Sequence, residues 1–233
     1  MNLYVGTSGY SYKEWKGSFY PEKIPAKEML PYYAERLSTV EINATFYRMP
    51  QKSMLENWKA QVPPAFRFSL KAPQRVTHFK RLKETEEETK YFFETAEVLA
   101  DQLGVVLFQL PPNMKKDLSR LETFLTQLPV ATRAAFEFRH PTWFDDDVLS
   151  VLKGRNLALV VSDTDDMPAT HIDTTADWGY LRLRRVNYSE ENLSEWLNRI
   201  NHQQWSDTFV FFKHEDEGTG PKLAAQFLKL AGR

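Results

Sequence analysis

Glu41, Glu137 and Asp163 each stand at or near the end of a short apolar run, and so do Lys71, Arg139 and Arg182. Carboxylates in such places take or give a proton, while lysine and arginine hold negative charge on a ligand. The segment VEINATFYRMP (40–50) shows the pattern best: Val40 and Ile42 suit a buried strand, with Glu41 and Asn43 on the alternate positions. Successive side chains of a strand point to opposite faces, so this carboxylate and this amide are expected to share one surface. Elsewhere, Val106 and Phe108, Phe136 and Phe138, and Leu181 and Leu183 have one parity. Gln109, Glu137 and Arg139, and Arg182 and Arg184 have the other, as do Ser69 and Lys71 beside Phe68 and Leu70.

The elements that would position these groups are eight β-branched or aromatic runs, at 3–7, 39–46, 66–71, 105–110, 134–139, 158–163, 180–184 and 208–214. Helical periods fill the intervals at 26–37, 53–62, 82–103, 119–128, 146–154 and 190–200, and again at 221–231 after the last run. Gly104 and Gly154 follow two of these, where a left-handed cap favours glycine. Only 164–177, between runs six and seven, lacks a helical period. Repeated strand–helix alternation predicts a (β/α)8 TIM-type barrel with a closed parallel sheet and no regular helix between strands six and seven. An open doubly wound sheet is the alternative, but eight strands in so short a chain favour closure. One domain, 1–233, is expected, since no linker-like stretch divides the chain. Outward residues then meet helices, and the polar set converges on the carboxyl-terminal mouth, where barrel enzymes hold their chemistry.

Other features widen or narrow the chemistry. His78, His140, His171 and His214 follow strands, whereas His202 lies at a helix end. Glu41, Glu137, Asp163 and His78, His140 or His214 could supply ligands to a divalent metal, but Lys71, Arg139, Arg182 and Arg184 would repel it, and no HxH or HExxH spacing occurs. No cofactor is predicted. The first loop, SGYSYKEWKGSFYP (8–21), carries Tyr10, Tyr12, Trp15, Phe19 and Tyr20, joined on the same side by Tyr47 and Trp143. It reads either as a stacking surface for a sugar or base, or as a hydrophobic cluster covering the barrel end. The segment HEDEGTGPK (214–222) reads either as a phosphate site at a helix start or as a capped polar turn.

With 233 residues, a net charge of −1, no cysteine and 9 glycines, the chain excludes disulfides, thiol nucleophiles and cysteine zinc sites. It carries neither GxGxxG nor GxxxxGK[ST], and its near-neutral charge gives no general pull toward nucleic acid. An opening strand in place of a leader, and no long apolar run, lead to the expectation of a cytoplasmic protein without membrane contact.

Five motifs occur in fixed order: GTSGY (6–10) with W–G–FYP, E-x-N-x-TFYR-x-P (41–50), K-x-P…TH (71–78), QLPP (109–112) and E-x-RHP-x-W (137–143). Together they resemble the YecE family, also called domain of unknown function 72, across almost the whole chain. The resemblance implies a TIM-type barrel and supplies no reaction. Its matched mouth positions are Thr7, Glu41, Asn43, Tyr47, Lys71, His78, Gln109, Glu137, Arg139, His140 and Asp163. Two places depart from the family pattern: a His-Gly pair after strand seven is here Arg184–Arg185, and an asparagine-rich end of strand eight is Lys213–His214.

The leading expectation is an enzyme for a small anionic or polyhydroxylated ligand, of the sugar-phosphate or nucleotide-derived kind. Glu137 would be the general acid or base, Glu41 or Asp163 the second carboxylate, and His78 a further proton carrier. Lys71, Arg139 and Arg182 would bind charge, while Asn43, Gln109 and Tyr47 orient the ligand; Thr7, Tyr10, Trp15, His140 and His214 complete its surroundings. Hydrolase, isomerase and lyase chemistry all stay open. Two other readings stand beside it. One is a non-catalytic nucleic-acid or nucleotide binder using the aromatic loop; the other is a structural barrel plugged by salt bridges, with Lys71 paired to Glu41.

Overall fold

Each apolar run becomes a strand, because alternate residues have helices to pack against on one side and a shared interior on the other. A computed structural model describes residues 1–213 and 218–233. Its strands are β1 (Asn2–Ser8), β2 (Thr39–Ile42), β3 (Arg67–Lys71), β4 (Leu103–Gln109) and β5 (Ala134–Glu137). They continue with β6 (Ala158–Leu159), β7 (Val161–Asp163), β8 (Trp178–Leu183) and β9 (Asp207–Phe212). All pairings are parallel, in the order β6-β5-β4-β3-β2-β1-β9-β8-β7. The two outermost segments of that order are neighbours in sequence, parted only by Val160, whose N–H donates to the Phe136 carbonyl at 2.9 Å. The sheet therefore comes round on itself as a nearly closed barrel, and the expected sixth strand is split in two.

The helices are α1 (Ala26–Ala34), α2 (Ala44–Tyr47), α3 (Lys52–Ala60), α4 (Glu86–Ala96), α5 (Leu118–Leu125), α6 (Asp146–Lys153), α7 (Glu190–Asn201) and α8 (Thr219–Leu230). Side-chain caps set several starts: Asp117 accepts from the Arg120 amide at 3.0 Å, and Ser189 with Asn192 closes a capping box on α7. Residues 164–177 contain no helix, as the sequence led one to expect.

Two cores follow from parity. Val40, Ile42, Phe68, Leu70, Val106, Phe108, Phe136 and Leu181 face the helices in one cluster. Val105, Leu107, Ala135, Trp178, Tyr180, Phe209 and Phe211 fill the barrel's interior in another. Each large side chain so buried contributes about 1.5–3 kcal/mol relative to exposure.

Two local expectations are corrected. Strand two stops at Ile42; Asn43 is right-handed helical (φ −87, ψ −17) and α2 follows at once. The turn is fastened there by Thr45, whose hydroxyl donates to the Lys71 carbonyl at 2.7 Å and lies 3.2 Å from that of Ile42. Neither Gly104 nor Gly154 is a left-handed cap: Gly104 lies inside β4, and Gly154 has φ −61. Left-handed backbone follows α6 at Asn156 (φ 54) and β1 at Gly9 (φ +94), where a side chain would strike the Tyr12 hydroxyl.

Candidate functional site

The inward residues at the carboxyl ends of β2, β3, β4, β5 and β8 form one hydrogen-bonded chain across the barrel. Arg182 is its centre. Its Nη2 donates to Glu41 Oε1 at 2.8 Å, and its Nη1 donates to Glu137 Oε2. Glu41 Oε2 accepts from the Tyr180 hydroxyl at 2.8 Å, which in turn lies 2.7 Å from Ser69 Oγ. Glu137 Oε2 also accepts from Gln109 Nε2 at 2.8 Å, and Gln109 Oε1 accepts from Lys71 Nζ at 2.9 Å. Arg184 Nη1 lies 3.9 Å from Glu137 Oε1. Lys71 thus does not pair with Glu41 as expected. Register explains it: Glu41 stands opposite Ser69, and Lys71 lies two residues further along β3, level with Leu107 of β4.

The electrostatics follow from that wiring. Burial alone would push both carboxyls up, but Arg182's charge and hydrogen bonds hold Glu41 below the usual range, helped by Tyr180. Glu137 is likewise held down by Arg182 and Arg184 against burial and the repulsion of Glu41. Both stay ionised, and Arg182, 2% exposed, stays charged between them. Lys71 goes the other way. Burial and the charges of Arg182 and Arg184 lower its pKa to about 8, outweighing the pull of Glu41 and Glu137.

Above this floor, α2 sets Phe46 beneath the lysine, with Lys71 Nζ 4.1 Å from the ring centroid. His78, on the π-helical turn Arg75–Phe79 that follows β3, meets the same ring edge-on at 4.9 Å between centroids. Partial burial and then Lys71, Arg139 and Arg81 lower its pKa, so its imidazole is neutral near pH 7. Its Nδ1 lies 2.9 Å from Thr77 Oγ1. Arg139 is exposed, makes no ion pair among the described residues, and lies close enough to influence both His78 and Arg184. Asn43 is half-buried at the end of β2, and Tyr47 is 73% exposed.

Several predicted residues are elsewhere. Asp163 has the outward parity of Val161 and ties two loops together, accepting from the Ala169 amide and Arg185 Nη2 at 2.9 Å and from the Tyr188 hydroxyl at 2.8 Å. Thr7 also points outward, with Oγ1 2.9 Å from the Tyr33 hydroxyl of α1. His140 caps the turn Pro141–Trp143, its Nδ1 2.9 Å from Thr142 Oγ1. The first loop's rings pack on one another: Trp15 is 1% exposed against Tyr12, Phe19 and Tyr20, and Tyr10 leans on Tyr33 beside Trp58. Trp143 is buried too, stacked 4.6 Å from Phe138. The aromatic loop therefore forms a hydrophobic cluster packed on α1, with Trp15 buried in it and Tyr10 half-buried. His214, with the acidic part of the 214–222 segment, lies outside the described residues.

Sequence reasoning passed over Tyr180, Ser8 and the role of Phe46. Tyr180 shares the parity of Arg182 in YLRLR, so the signal was present. Ser8, buried opposite Glu41 in register, stood in the GTSGY motif beside Thr7, which was the residue chosen from that strand. No group of three or more His, Asp or Glu residues able to hold a metal occurs among the described residues. No described helix is long and apolar enough to cross a membrane. A cavity of about 730 Å³ lined by Glu56, Lys59, Val62 and Leu99 lies at the opposite, amino-terminal end of the barrel wall.

Residues 4–233 match a family model described as a protein of unknown function, DUF72. The chain is similar to the UPF0759 protein YunF of Bacillus subtilis, at 25% identity over 268 aligned residues covering 98% of this chain and 94% of that one. It is 28% identical to the UPF0759 protein YecE of Escherichia coli K12 over 143 residues, 61% of this chain and 50% of the relative. The crystal structure of a DUF72 family protein of Thermotoga maritima, TM1631, superposes over 100% of both chains with a TM-score of 0.84 and 28% identity. That of Enterococcus faecalis EF0366, 18% identical over 100% of this chain and 98% of that one, shares the fold with a TM-score of 0.79.

Proposed function

The chain belongs to the DUF72 family, and from its own mouth residues we propose an enzyme that binds a small anionic, hydroxyl-bearing molecule and transfers protons within it. One observation carries this reading. Arg182 and Arg184 balance Glu41 and Glu137 one for one, which leaves Lys71 and Arg139 as surplus positive charge at the mouth among the described residues. A barrel plugged only for stability would need no such excess, because a buried charge without a counter-ion destabilises the fold.

The proton chemistry moves from the carboxylates expected at first to the groups above them. Glu41 and Glu137, held ionised, have no proton to give near neutrality and serve as a fixed negative frame. Lys71, its pKa lowered to about 8, is able to change state near physiological pH, and His78, held neutral there, is able to accept a proton. Arg139 and Arg184 would take the anionic group, with Asn43 and Tyr47 in reach of hydroxyls at the rim. Trp15, which the nucleic-acid reading needs as a stacking ring, is buried and gives that reading no support.

Titration calorimetry with inorganic phosphate and a panel of sugar phosphates tests the proposal. Removal of one charge-assisted contact costs about 1.5–3 kcal/mol, so Arg139→Ala should weaken binding by roughly ten- to a hundredfold. Absence of binding by inorganic phosphate and every sugar phosphate of the panel, or equal binding by the variant, would refute it.

A further inference from the structure

Lys71 is the one lysine among the described residues that is buried, at 9% exposure. Its Nζ donates to a neutral amide oxygen, lies over an aromatic face and has no carboxylate at ion-pair distance among the described residues. It sits on inward parity at the carboxyl end of β3, with His78 against the same Phe46 ring. A lysine kept only for charge would be matched to a carboxylate; one kept for its nitrogen needs an apolar wall and neighbouring cations.

We propose that Lys71 is a nucleophile that condenses with the carbonyl carbon of an anionic aldehyde or ketone, and that His78 moves the protons of that step. This rests on the mouth being an anion site and adds the substrate class and the covalent chemistry. Neutral Nζ attacks the carbonyl carbon; the C–N bond forms while the C=O π pair moves to oxygen. One proton passes from nitrogen to that oxygen, giving a carbinolamine. The imidazole, which takes up the ammonium proton as the nitrogen is freed, gives it to the hydroxyl; the C–O bond breaks, and water leaves as the nitrogen lone pair closes the C=N bond. Counted from the lysine ammonium, one carbonyl gives one protonated imine and one water, with no change of oxidation state.

The surroundings suit each part of this. Free amine is available near neutrality because burial and the cations Arg182 and Arg184 oppose protonation, with Glu41 and Glu137 acting against them. Gln109 from β4 and neutral His78 complete the groups around the nitrogen, with Arg139 beyond the imidazole. His78 Nδ1 is engaged by Thr77, which leaves Nε2 for proton transfer. Phe46 shields one side of the nitrogen from water, and Arg139 and Arg184 would hold the substrate's anionic group. A protonated imine acidifies the adjacent C–H bond, so isomerisation, elimination or carbon–carbon cleavage next to the carbonyl are the reactions it serves.

The whole protein is incubated with dihydroxyacetone phosphate, with pyruvate and, as an uncharged control, with dihydroxyacetone, each with cyanoborohydride to reduce any imine to a stable amine. Adducts are located by peptide mass spectrometry. At about pH 7.5 an amine titrating near 8 is free roughly two hundred times more often than an ordinary lysine, so labelling of Lys71 should exceed that of any exposed lysine at least tenfold. The anionic compounds should label it faster than dihydroxyacetone, inorganic phosphate should slow them, and the faster of the two identifies phosphate or carboxylate as the anion. Lys71→Arg should abolish the adduct while still binding phosphate. Labelling spread over exposed lysines without preference for Lys71, with phosphate binding intact, overturns the imine and leaves the anion site standing. Labelling of Lys71 that is equal for the uncharged control and indifferent to phosphate sustains the nucleophile and overturns the anionic substrate.

Discussion

Replacing Lys71 with methionine should make the protein more stable at neutral pH, although it removes a hydrogen bond. Lowering a lysine's pKa from 10.5 to about 8 corresponds to about 3 kcal/mol for holding the charge inside. Methionine keeps a similar length of apolar chain against Phe46 without that charge. Gln109 Oε1 loses its donor, which costs about 1 kcal/mol. The net gain is then about 2 kcal/mol, or a midpoint roughly 4–8 °C higher for a chain of this size. The pH dependence separates this cause from ordinary packing. Below pH 8 both folded and unfolded wild type carry the charge, so the full penalty is present. Between 8 and 10.5 the folded lysine has released its proton while the unfolded one retains it, so the wild type gains stability as pH rises. The advantage of the variant should shrink across that window and be largely gone above it. Urea unfolding of both proteins at about pH 7 and about pH 10.5 measures it. A variant less stable than wild type at pH 7, or an advantage of equal size at both pH values, would show that Lys71 does not carry a buried, penalised charge.

Arg182→Met should be among the most damaging single substitutions in the mouth, since it strands Glu41 and Glu137 at 0% and 2% exposure. Loss of one partner from a buried ion pair costs about 3–5 kcal/mol, and the deficit should narrow as the medium is brought down to about pH 4, where the stranded carboxyls take up protons; urea midpoints at both pH values check this. Asp163→Asn should cost about 1–3 kcal/mol and speed amide exchange at Ala169, while phosphate binding at the mouth stays unchanged, because Asp163 ties loops together on the outward side. Hydrogen exchange and calorimetry on the same variant separate those two effects.

Strand positions and facing were legible because a barrel strand leaves a period of two in the sequence. Val40 against Glu41, and Leu181 against Arg182, set apart outer and inner residues without any knowledge of neighbours. Who meets whom across the interior was not legible. Glu41 and Lys71 looked like partners on adjacent strands, yet strand stagger put Ser69 opposite Glu41 and brought in Arg182 from 141 positions away. Asp163 misled for a different reason: it ends a strand, but it shares the outward parity of Leu159 and Val161, and parity was not applied to that run. The first loop's rings could have been exposed or mutually buried; composition is the same in both cases, and only packing around Trp15 decided. Asn43 and Phe46 belonged to a run that reads as strand throughout, and the Thr45 bond across to β3 turned it into a helical turn.

The Glu41–Arg182–Glu137 bridge also bears on how the barrel is assembled. Its three residues come from β2, β8 and β5, and no two of those strands are neighbours in the sheet. Nothing local in the chain can form it, since the separations are 141 and 45 residues. A chain cut after β4 would leave Glu41 in one piece and both its guanidinium partner and the second carboxylate in the other. The amino-terminal half would hold Glu41 without its counter-ion, while Arg182 and Glu137 stay together in the other, so burial of Glu41 is penalised until that half arrives. The polar layer at the mouth thus makes completion of the ring a condition for burying Glu41, which ties the first strands to the last in one cooperative unit.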